Sequence, residues 1–163
     1  MKSFGLAVPM LLFVASSVFA DPISRDQIFV KDGDTIIKGE PDLRYSADQE
    51  YRLVGYDAPE TTRGRCPVEI EMGNRAAGRL ISLLESGNLD LTELPCSCCP
   101  GTFLTKACNA GRRCGRLTVN GKDVAETLIA EGLAVRFICS ETSCPQQKSW
   151  CQMAKSRPRK RKC

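Results

Sequence analysis

The chain of 163 residues contains no histidine, and this absence limits the chemistry that it can perform. Ser-His-Asp and Cys-His catalysis are excluded, as are histidine acid–base pairs. The zinc hydrolases that need imidazole ligands are excluded for the same reason. Any catalysis must therefore use carboxylates and arginines, with or without a hard metal ion.

A membrane-spanning helix needs about 20 apolar residues, and the chain has no apolar run of that length. The apolar stretch Leu6 to Phe13 follows a basic residue, is interrupted by Pro9 and leads to small residues before Asp21. This order is typical of an export signal, so we predict that residues 1–20 are removed. The mature chain is then expected in the periplasm or the medium, without a membrane anchor. Its length suits a single domain, predicted over residues 21–151.

All ten cysteines lie in the predicted mature chain. An exported chain with a dense, even number of cysteines is expected to form disulfides, whose pairing cannot be deduced from sequence. The alternative is zinc, because Cys96 and Cys99 have metal-ligand spacing and Cys139 and Cys144 could complete a four-cysteine site. Cys163 ends a charged tail and is either unpaired or able to bridge to another molecule.

Charge is distributed unevenly along the chain. Lys155 to Lys162 contains six basic residues and no acid. Without Lys2 and those six, Asp21 to Ala154 keeps 16 of the 23 basic residues against all 19 acidic ones, a net charge of −3. The folded part is therefore not a basic nucleic-acid-binding surface by net charge. We expect residues 152–163 to be disordered, and either to attract polyanions non-specifically or only to aid solubility.

Strand patterns recur along the middle of the chain. Short apolar, β-branched or alternating runs lie at residues 27–30, 35–38, 51–56, 89–94 and 116–119. An Asp-Gly pair separates the first two runs and Asn120-Gly121 closes the last, and both pairs are typical of hairpin turns.

Two helices are predicted between these strands. Residues 69–84 carry an apolar stripe that Gly87 can stop, and a second helix, which Asp123 caps, is ended by Gly132. Five short strands with two helices predict an α+β, mainly β fold, a partly open antiparallel barrel of the OB type.

The stretch Tyr51 to Thr61 (YRLVGYDAPET) combines a strand with a rigid turn. It carries Arg52 on the strand and presents Asp57 and Glu60 around Pro59, which cannot continue a central strand. Gathering a cation and two carboxylates is costly unless a metal or a phosphate lies there. A solvated surface turn is the alternative for this stretch taken alone.

Two further fragments favour a metal or phosphate site over a surface turn. One is Asp32-Gly33-Asp34-Thr35 (DGDT), alone only a common hairpin signal, and the other is Gly111-Arg112, whose arginine lies nine residues ahead of Gly121. In this order and spacing the three fragments resemble the staphylococcal nuclease (thermonuclease, SNase-like) family over about residues 27–137. The resemblance implies a five-stranded OB barrel with two or three flanking helices.

The resemblance also implies roles for individual residues. Asp34, Asp57 and the backbone carbonyl of Ala58 would bind Ca²⁺, whose preference for oxygen ligands they suit. Asp32 would support these ligands without binding the ion. Glu60 would be the general base that positions or deprotonates the attacking water.

Two arginines complete the site that the resemblance implies. Arg52 and Arg112 would bind the phosphate through their guanidinium forks and stabilise the charge that grows in the transition state. Gly115-Arg116 is a competing dipeptide. We prefer Arg112 because its distance to Asn120-Gly121 fits the family, with Arg116 as the alternative.

The chain departs from the family's pattern at three places. Ala58 stands where threonine is frequent, which should matter little because only the carbonyl is used. Asn109-Ala110 precede Gly111 without the tyrosines that stack on bases, so the substrate preference is open. The cysteine-rich stretch from Cys139 to Cys151 replaces the third helix.

Arg52 and Asp57 are five residues apart, so a regular strand would direct them to opposite faces. Both can serve one site only if the strand bends between them, and Gly55 is the natural position for the bend. We therefore predict a strand irregularity at Gly55.

Three functions are compatible with the sequence. The first is an exported, calcium-dependent endonuclease, expected to be a monomer, that hydrolyses DNA and RNA by in-line attack of water. The second is an OB-type nucleic-acid-binding module without activity, which the acidic body would suit better. The third is a phosphodiesterase for a polysaccharide-related substrate.

Overall fold

The computed structural model describes residues 21–39 and 49–151. The predicted signal, the basic tail and Cys163 lie outside the described residues. Nine strands and two α-helices follow one another along the described chain: β1 (Asp21–Ile23), β2 (Ile28–Asp32), β3 (Thr35–Lys38), β4 (Glu50–Leu53), β5 (Gly55–Asp57), α1 (Pro67–Leu84), β6 (Leu89–Leu94), β7 (Arg113–Val119), β8 (Lys122–Asp123), α2 (Val124–Ala130) and β9 (Val135–Phe137).

Most strands form one mixed sheet. Its order is β1-β6-β7-β4-β3-β2, with β8 paired to β7, while β5 and β9 form a separate pair. Only the β4–β7 pairing is parallel among these neighbours. In this register Arg52 lies opposite Thr35 of β3 on one side and Cys114 of β7 on the other. The DGDT turn, β4 and the start of β7 therefore meet in one region of the sheet.

The β2–β3 hairpin forms at the predicted position. Its register shifts between Val30 and Asp32, which marks a bulge just before the turn. Gly33 in the turn has no room for a side chain, because a Cβ there would lie 2.7 Å from the Cβ atoms of both Ala58 and Ala76. The turn is thus packed tightly between the proline turn after β5 and helix α1.

Helix α1 begins two residues earlier than predicted, with Pro67 in its first turn and Cys66 as the N-cap. Its buried face consists of Glu69, Gly73, Ala76, Leu80 and Leu84. The predicted end of this helix at Leu84 is confirmed, although Gly87 does not cap it. The helix ends at Leu84 with Glu85 as its C-cap, and Gly87 instead packs so closely on Asn120 that a Cβ would clash with it.

The second helix and its flanking turn follow the prediction. The side chain of Asp123 accepts a hydrogen bond from the backbone N–H of Ala125 (2.9 Å), and Gly132 follows the helix with a positive φ of 72°. Asn120 and Gly121, with φ of 51° and 76°, turn β7 into β8. Strand β7 is three residues longer than predicted because it pairs along its length with β6 and, at its start, with β4.

Alternating apolar residues of the strands and the apolar stripes of the two helices form one core. Its largest fully buried side chains are Tyr56, Ile28, Ile36, Leu53, Leu80, Leu84, Leu117, Leu128 and Val124. Burial of such side chains is the main favourable contribution to folding, worth roughly 1.5–3 kcal/mol for each large one.

The cysteines form disulfides, as predicted. The pairs that the structure describes are Cys66–Cys151, Cys96–Cys114, Cys98–Cys108 and Cys139–Cys144, and Cys99 is also disulfide-bonded. The zinc alternative is wrong because its four cysteines are engaged in disulfide bonds. Cys66 and Cys151 lie near the carboxylate of Glu69, but their sulfurs are bonded to each other and so offer no thiolate ligands.

The prediction of a mainly β fold with two helices is confirmed, but the prediction of antiparallel pairing throughout is wrong because β4 and β7 pair in parallel. The described residues divide into nine strands rather than five because several short segments pair with longer ones. Residues 138–151 contain no helix or strand, which agrees with the predicted replacement of a third helix. Within the described ranges, no helix is both long and apolar enough to cross a membrane.

Candidate active site

The predicted bend at Gly55 is present. Strand β4 ends at Leu53 and β5 begins at Gly55, whose φ of 94° is accessible mainly to glycine. No atom outside its chain neighbours lies within 4 Å of the position of a Cβ on Gly55, so the backbone conformation and not space requires glycine here. The bend allows the guanidinium of Arg52 to donate to the Asp57 carboxylate at 3.0 Å and to the Tyr56 carbonyl at 3.2 Å.

Asp34 and Asp57 approach each other across Arg52. Nη1 of Arg52 forms an ion pair with Oδ2 of Asp34, and Nη2 forms one with Oδ1 of Asp57. Oδ2 of Asp34 also accepts a hydrogen bond from the backbone N–H of Ala58 at 2.8 Å. Asp34 is 6% exposed and Asp57 only 2%, so one carboxylate from the hairpin turn and one from the end of β5 are buried beside one guanidinium.

Asp32 stabilises the turn that carries Asp34. Its Oδ1 accepts a hydrogen bond from the backbone N–H of Asp34 at 3.1 Å. Burial raises the pKa of Asp32 above its usual range, partly opposed by a hydrogen bond from Thr35 and by the charge of Arg52. Burial likewise raises the pKa of Asp57, although the charge of Arg52 opposes that shift.

Arg112 lies at this site, whereas Arg116 does not. Nη1 of Arg112 donates to Oγ1 of Thr35 (3.1 Å), while Nε and Nη2 donate to the carbonyl and side-chain oxygens of Asn109, both at 3.0 Å. Arg116 points instead to Asp123 at 3.4 Å, and its side chain is 55% exposed. The geometry therefore favours Arg112 over the alternative.

The loop before Arg112 has an unusual backbone. Asn109, Ala110 and Gly111 all have positive φ, of 50°, 59° and 85°. Such a run of left-handed residues is unfavourable unless surrounding structure holds it. The Cys98–Cys108 and Cys96–Cys114 disulfides lie on its two sides and supply that constraint.

Glu60 lies at the outer edge of the site. It is exposed, and its carboxylate has no hydrogen-bond or ion-pair partner within the described ranges. Partial burial raises the pKa of Glu60, the charge of Asp32 raises it further, and the charges of Arg52 and Arg112 oppose the shift. Helix α1 packs directly against the Glu60 backbone at Gly73. A Cβ on Gly73 would lie less than 3.0 Å from the Glu60 carbonyl oxygen, so only glycine fits there.

The charges of the site do not balance. Four carboxylates against two guanidiniums leave a formal charge of −2 on Asp32, Asp34, Asp57, Glu60, Arg52 and Arg112. Three of these acids have a raised pKa, as expected where burial and neighbouring acids disfavour the ionised form. A divalent cation would balance the charge, and carboxylate oxygens are the donors that Ca²⁺ prefers. The donor set therefore fits a calcium ion.

Three contacts of the site were not predicted. Thr35 links Arg112 to Asp34, Asn109 holds the Arg112 guanidinium, and Gln147 donates to Oδ1 of Asp57 at 2.9 Å. Thr35 belongs to the DGDT fragment and Asn109 lies three residues before Arg112, so both lie within or close to a motif recognised in the sequence. Nothing in the sequence indicated Gln147, which is 90 residues from Asp57.

A mainly β fold that gathers buried carboxylates and two arginines beside an exposed glutamate has the groups that a metal-assisted phosphodiester hydrolase requires. Residues 50–163 match the family model described as Staphylococcal nuclease homologue. The match spans more than half of the chain, which therefore belongs to this family. It includes Arg52, Asp57, Glu60 and Arg112 and begins after Asp34. No curated protein matches the chain. Members of the family are typically nucleases and generally depend on Ca²⁺.

Proposed function

We propose that the chain is an exported, calcium-dependent nuclease that hydrolyses phosphodiester bonds of DNA and RNA with little sequence specificity. One observation carries the proposal. Arg112 donates to Thr35, Thr35 donates to Oδ1 of Asp34 at 3.2 Å, and Oδ2 of the same carboxylate pairs with Arg52. One buried carboxylate thereby connects both guanidiniums and brings them to one site, as two arginines that bind the same phosphate must be.

The two arginines bind and polarise the phosphodiester. A guanidinium presents parallel N–H donors that match two phosphate oxygens. Because Arg52 and Arg112 are already oriented by Asp57, Asp34 and Asn109, little side-chain entropy is lost when the substrate binds. The same donors stabilise the negative charge that grows on the phosphoryl oxygens in the transition state.

Glu60 positions the attacking water and accepts its proton. Its carboxylate is exposed and free to accept a hydrogen bond from water, whereas the other three acids of the site are buried. The raised pKa makes Glu60 a somewhat stronger base than an ordinary glutamate. No nucleophilic side chain is needed, because water attacks phosphorus directly, in line with the leaving oxygen.

Asp34 and Asp57 would hold Ca²⁺, with the Ala58 carbonyl as a third oxygen donor. When bound, the ion would supply positive charge that neutralises the phosphate and lowers the barrier to attack by an anionic water. The same two carboxylates keep Arg52 in place, so the residues that hold the metal also orient a phosphate ligand.

The proposal extends to the type of barrel and to the compartment in which the protein acts. The mixed sheet and the β5–β9 pair are proposed to correspond to the five-stranded OB barrel of the family. The disulfides support an oxidising compartment, since such bonds persist mainly outside the cytosol. The protein would act as a monomer in the periplasm or the medium, after removal of residues 1–20.

An OB-type binding module without activity is the second candidate. The acidic excess of Asp21 to Ala154 disfavours polyanion binding by the folded part, with or without cleavage, so it gives no preference between a nuclease and this module. The presence of all the acids and arginines of the site in one place argues against it, because a binding module has no need of a buried acid cluster. A polysaccharide-related phosphodiester would use the same chemistry.

A cleavage assay separates these candidates. The mature protein, with its disulfides formed, is incubated with single-stranded DNA and with RNA, in Ca²⁺ or in a chelator. We expect both substrates to be cut in Ca²⁺ and neither in the chelator. Binding without cleavage would support the inactive binding module. Neither binding nor cleavage of either nucleic acid would support a phosphodiesterase for a polysaccharide-related substrate.

A further inference from the structure

The C-terminal segment, residues 138–151, has a contact with the site that the proposed mechanism does not use. Gln147 in this segment donates from Nε2 to Oδ1 of Asp57 at 2.9 Å, the same oxygen that Arg52 contacts at 3.0 Å. Asp57 is almost fully buried, whereas Gln147 is exposed, so the glutamine lies on the solvent side of the carboxylate.

Strand pairing at its start, and a disulfide beside a buried tryptophan at its end, fix this segment. It follows β9, whose Phe137 pairs with Gly55 at the strand bend. It ends at Cys151, which is bonded to Cys66, and the neighbouring Trp150 is 6% exposed beneath the ammonium group of Lys148. Without a helix or strand of its own, the segment relies on these anchors for its position.

The Cys66–Cys151 disulfide also connects the segment to helix α1, which packs against the site. Cys66 is the N-cap of α1, and α1 supports the Glu60 backbone through Gly73. The Cys66–Cys151 bond therefore joins the segment that contacts Asp57 to the helix that fixes Glu60. A change in this bond would be transmitted to both residues.

We propose that Gln147 is a positioning residue for Asp57, held in place by the Cys66–Cys151 disulfide; the inference rests on the proposed calcium-dependent function. A neutral amide adds a donor to Oδ1 without adding charge to the site. Because Oδ1 accepts from both Arg52 and Gln147, the amide holds this oxygen also when the Arg52 guanidinium contacts a phosphate. The carboxylate stays in one orientation, with Oδ2 available to a cation. Residues that orient metal ligands in this way affect metal affinity as well as activity.

The test measures Ca²⁺ affinity by calorimetry and single-stranded DNA cleavage, both on the disulfide-bonded mature protein. Gln147→Ala is expected to weaken Ca²⁺ binding about 10-fold, with a thermal midpoint close to that of the wild type. Glu141→Ala, an exposed change within the same segment, serves as the control and is expected to leave both measurements unchanged.

A second pair of variants tests the role of the disulfide. Cys66→Ser/Cys151→Ser, confirmed as folded by circular dichroism at the assay temperature, should weaken Ca²⁺ binding by a similar factor. Adding Gln147→Ala to this double variant should weaken Ca²⁺ binding little further, because both changes remove the contact between Gln147 and Asp57.

The outcomes separate the inference from the function on which it rests. If the wild type binds Ca²⁺ and cuts DNA but Gln147→Ala binds Ca²⁺ equally well, the positioning role is wrong and the function stands. If Gln147→Ala binds Ca²⁺ more tightly or cuts faster, the segment obstructs the site and the inference is overturned. If the wild type neither binds Ca²⁺ nor cuts, both proposals fail.

Discussion

Asp34 is the residue on which the site depends most. It joins Arg52 directly, Arg112 through Thr35, and the proline turn through the Ala58 N–H. Removing one partner from a buried ionic network leaves the others unpaired, which is more costly than the contact itself is favourable. Single changes here are therefore expected to affect the orientation of both arginines.

The two candidate arginines offer a matched comparison. Arg112→Ala removes a guanidinium that lies beside Thr35, and Arg116→Ala removes one that pairs with Asp123 on the surface. We expect Arg112→Ala to lower kcat by about 100-fold, as the loss of one transition-state donor does. Arg116→Ala should change kcat little, because its guanidinium lies away from the site, and stability little, because an exposed ion pair contributes only about 0–1 kcal/mol.

Steady-state cleavage of single-stranded DNA in saturating Ca²⁺ measures both variants. A large loss of activity in Arg116→Ala with a normal rate in Arg112→Ala would reverse the assignment.

The sequence motifs led to most of the site residues but not to their partners. DGDT, the proline turn and Gly111-Arg112 each bring a recognisable side chain, and Gly55 indicated how Arg52 and Asp57 meet. The position of Arg112 depends on a left-handed run of backbone and two disulfides, which no local pattern encodes. Gln147 depends on a disulfide pairing that sequence spacing cannot supply.

Helix α1 is the element that positions the turn carrying Glu60. Gly33 and Gly73 allow the hairpin, the helix and the proline turn to approach within van der Waals contact. The helix thereby fixes the backbone of Glu60 although it contributes no side chain to the chemistry. Its early start, at a proline after Cys66, escaped prediction because the apolar stripe does not extend to the first residues of the helix.

Two glycines of the same helix test this role. Gly73→Ala would place a Cβ against the Glu60 carbonyl, so we expect a loss of about 1–3 kcal/mol in the free energy of unfolding. A shift of the Glu60 backbone by about 1 Å should also lower kcat by about 100-fold. Gly78→Ala meets no atom within 4 Å and should instead stabilise the helix by about 0.5–1 kcal/mol.

Urea denaturation and the cleavage rate are measured for both variants. Equal effects of the two substitutions on either quantity would mean that α1 does not hold the Glu60 turn.

Over the described part of the molecule, disulfides hold residues 138–151, which contain no helix or strand. The bond between Cys66 and Cys151 spans 85 residues, and that between Cys139 and Cys144 spans five. A crosslink stabilises mainly by reducing the entropy of the unfolded chain, by more for a longer loop. The fold class was predictable because strand and helix periods are local, whereas these long-range constraints were not.

The two bonds should differ in their contribution to stability. From loop length, Cys66→Ser/Cys151→Ser should lower the free energy of unfolding by about 4.5 kcal/mol and Cys139→Ser/Cys144→Ser by about 2 kcal/mol. Denaturant titration of the two double variants provides the comparison. A larger loss from the short loop would show that native-state contacts, and not chain entropy, dominate.

In the proposed mechanism Glu60 activates water at a site that binds calcium through other residues. Glu60→Gln keeps the size of the side chain but removes its basicity. The most direct measurement is the rate of single-stranded DNA cleavage by Glu60→Gln in saturating Ca²⁺, with Ca²⁺ and nucleotide binding determined on the same sample. We predict a rate lower by about 100-fold to 10,000-fold, typical of losing a general base, with both kinds of binding retained. Full activity in this variant would show that Glu60 is not the general base.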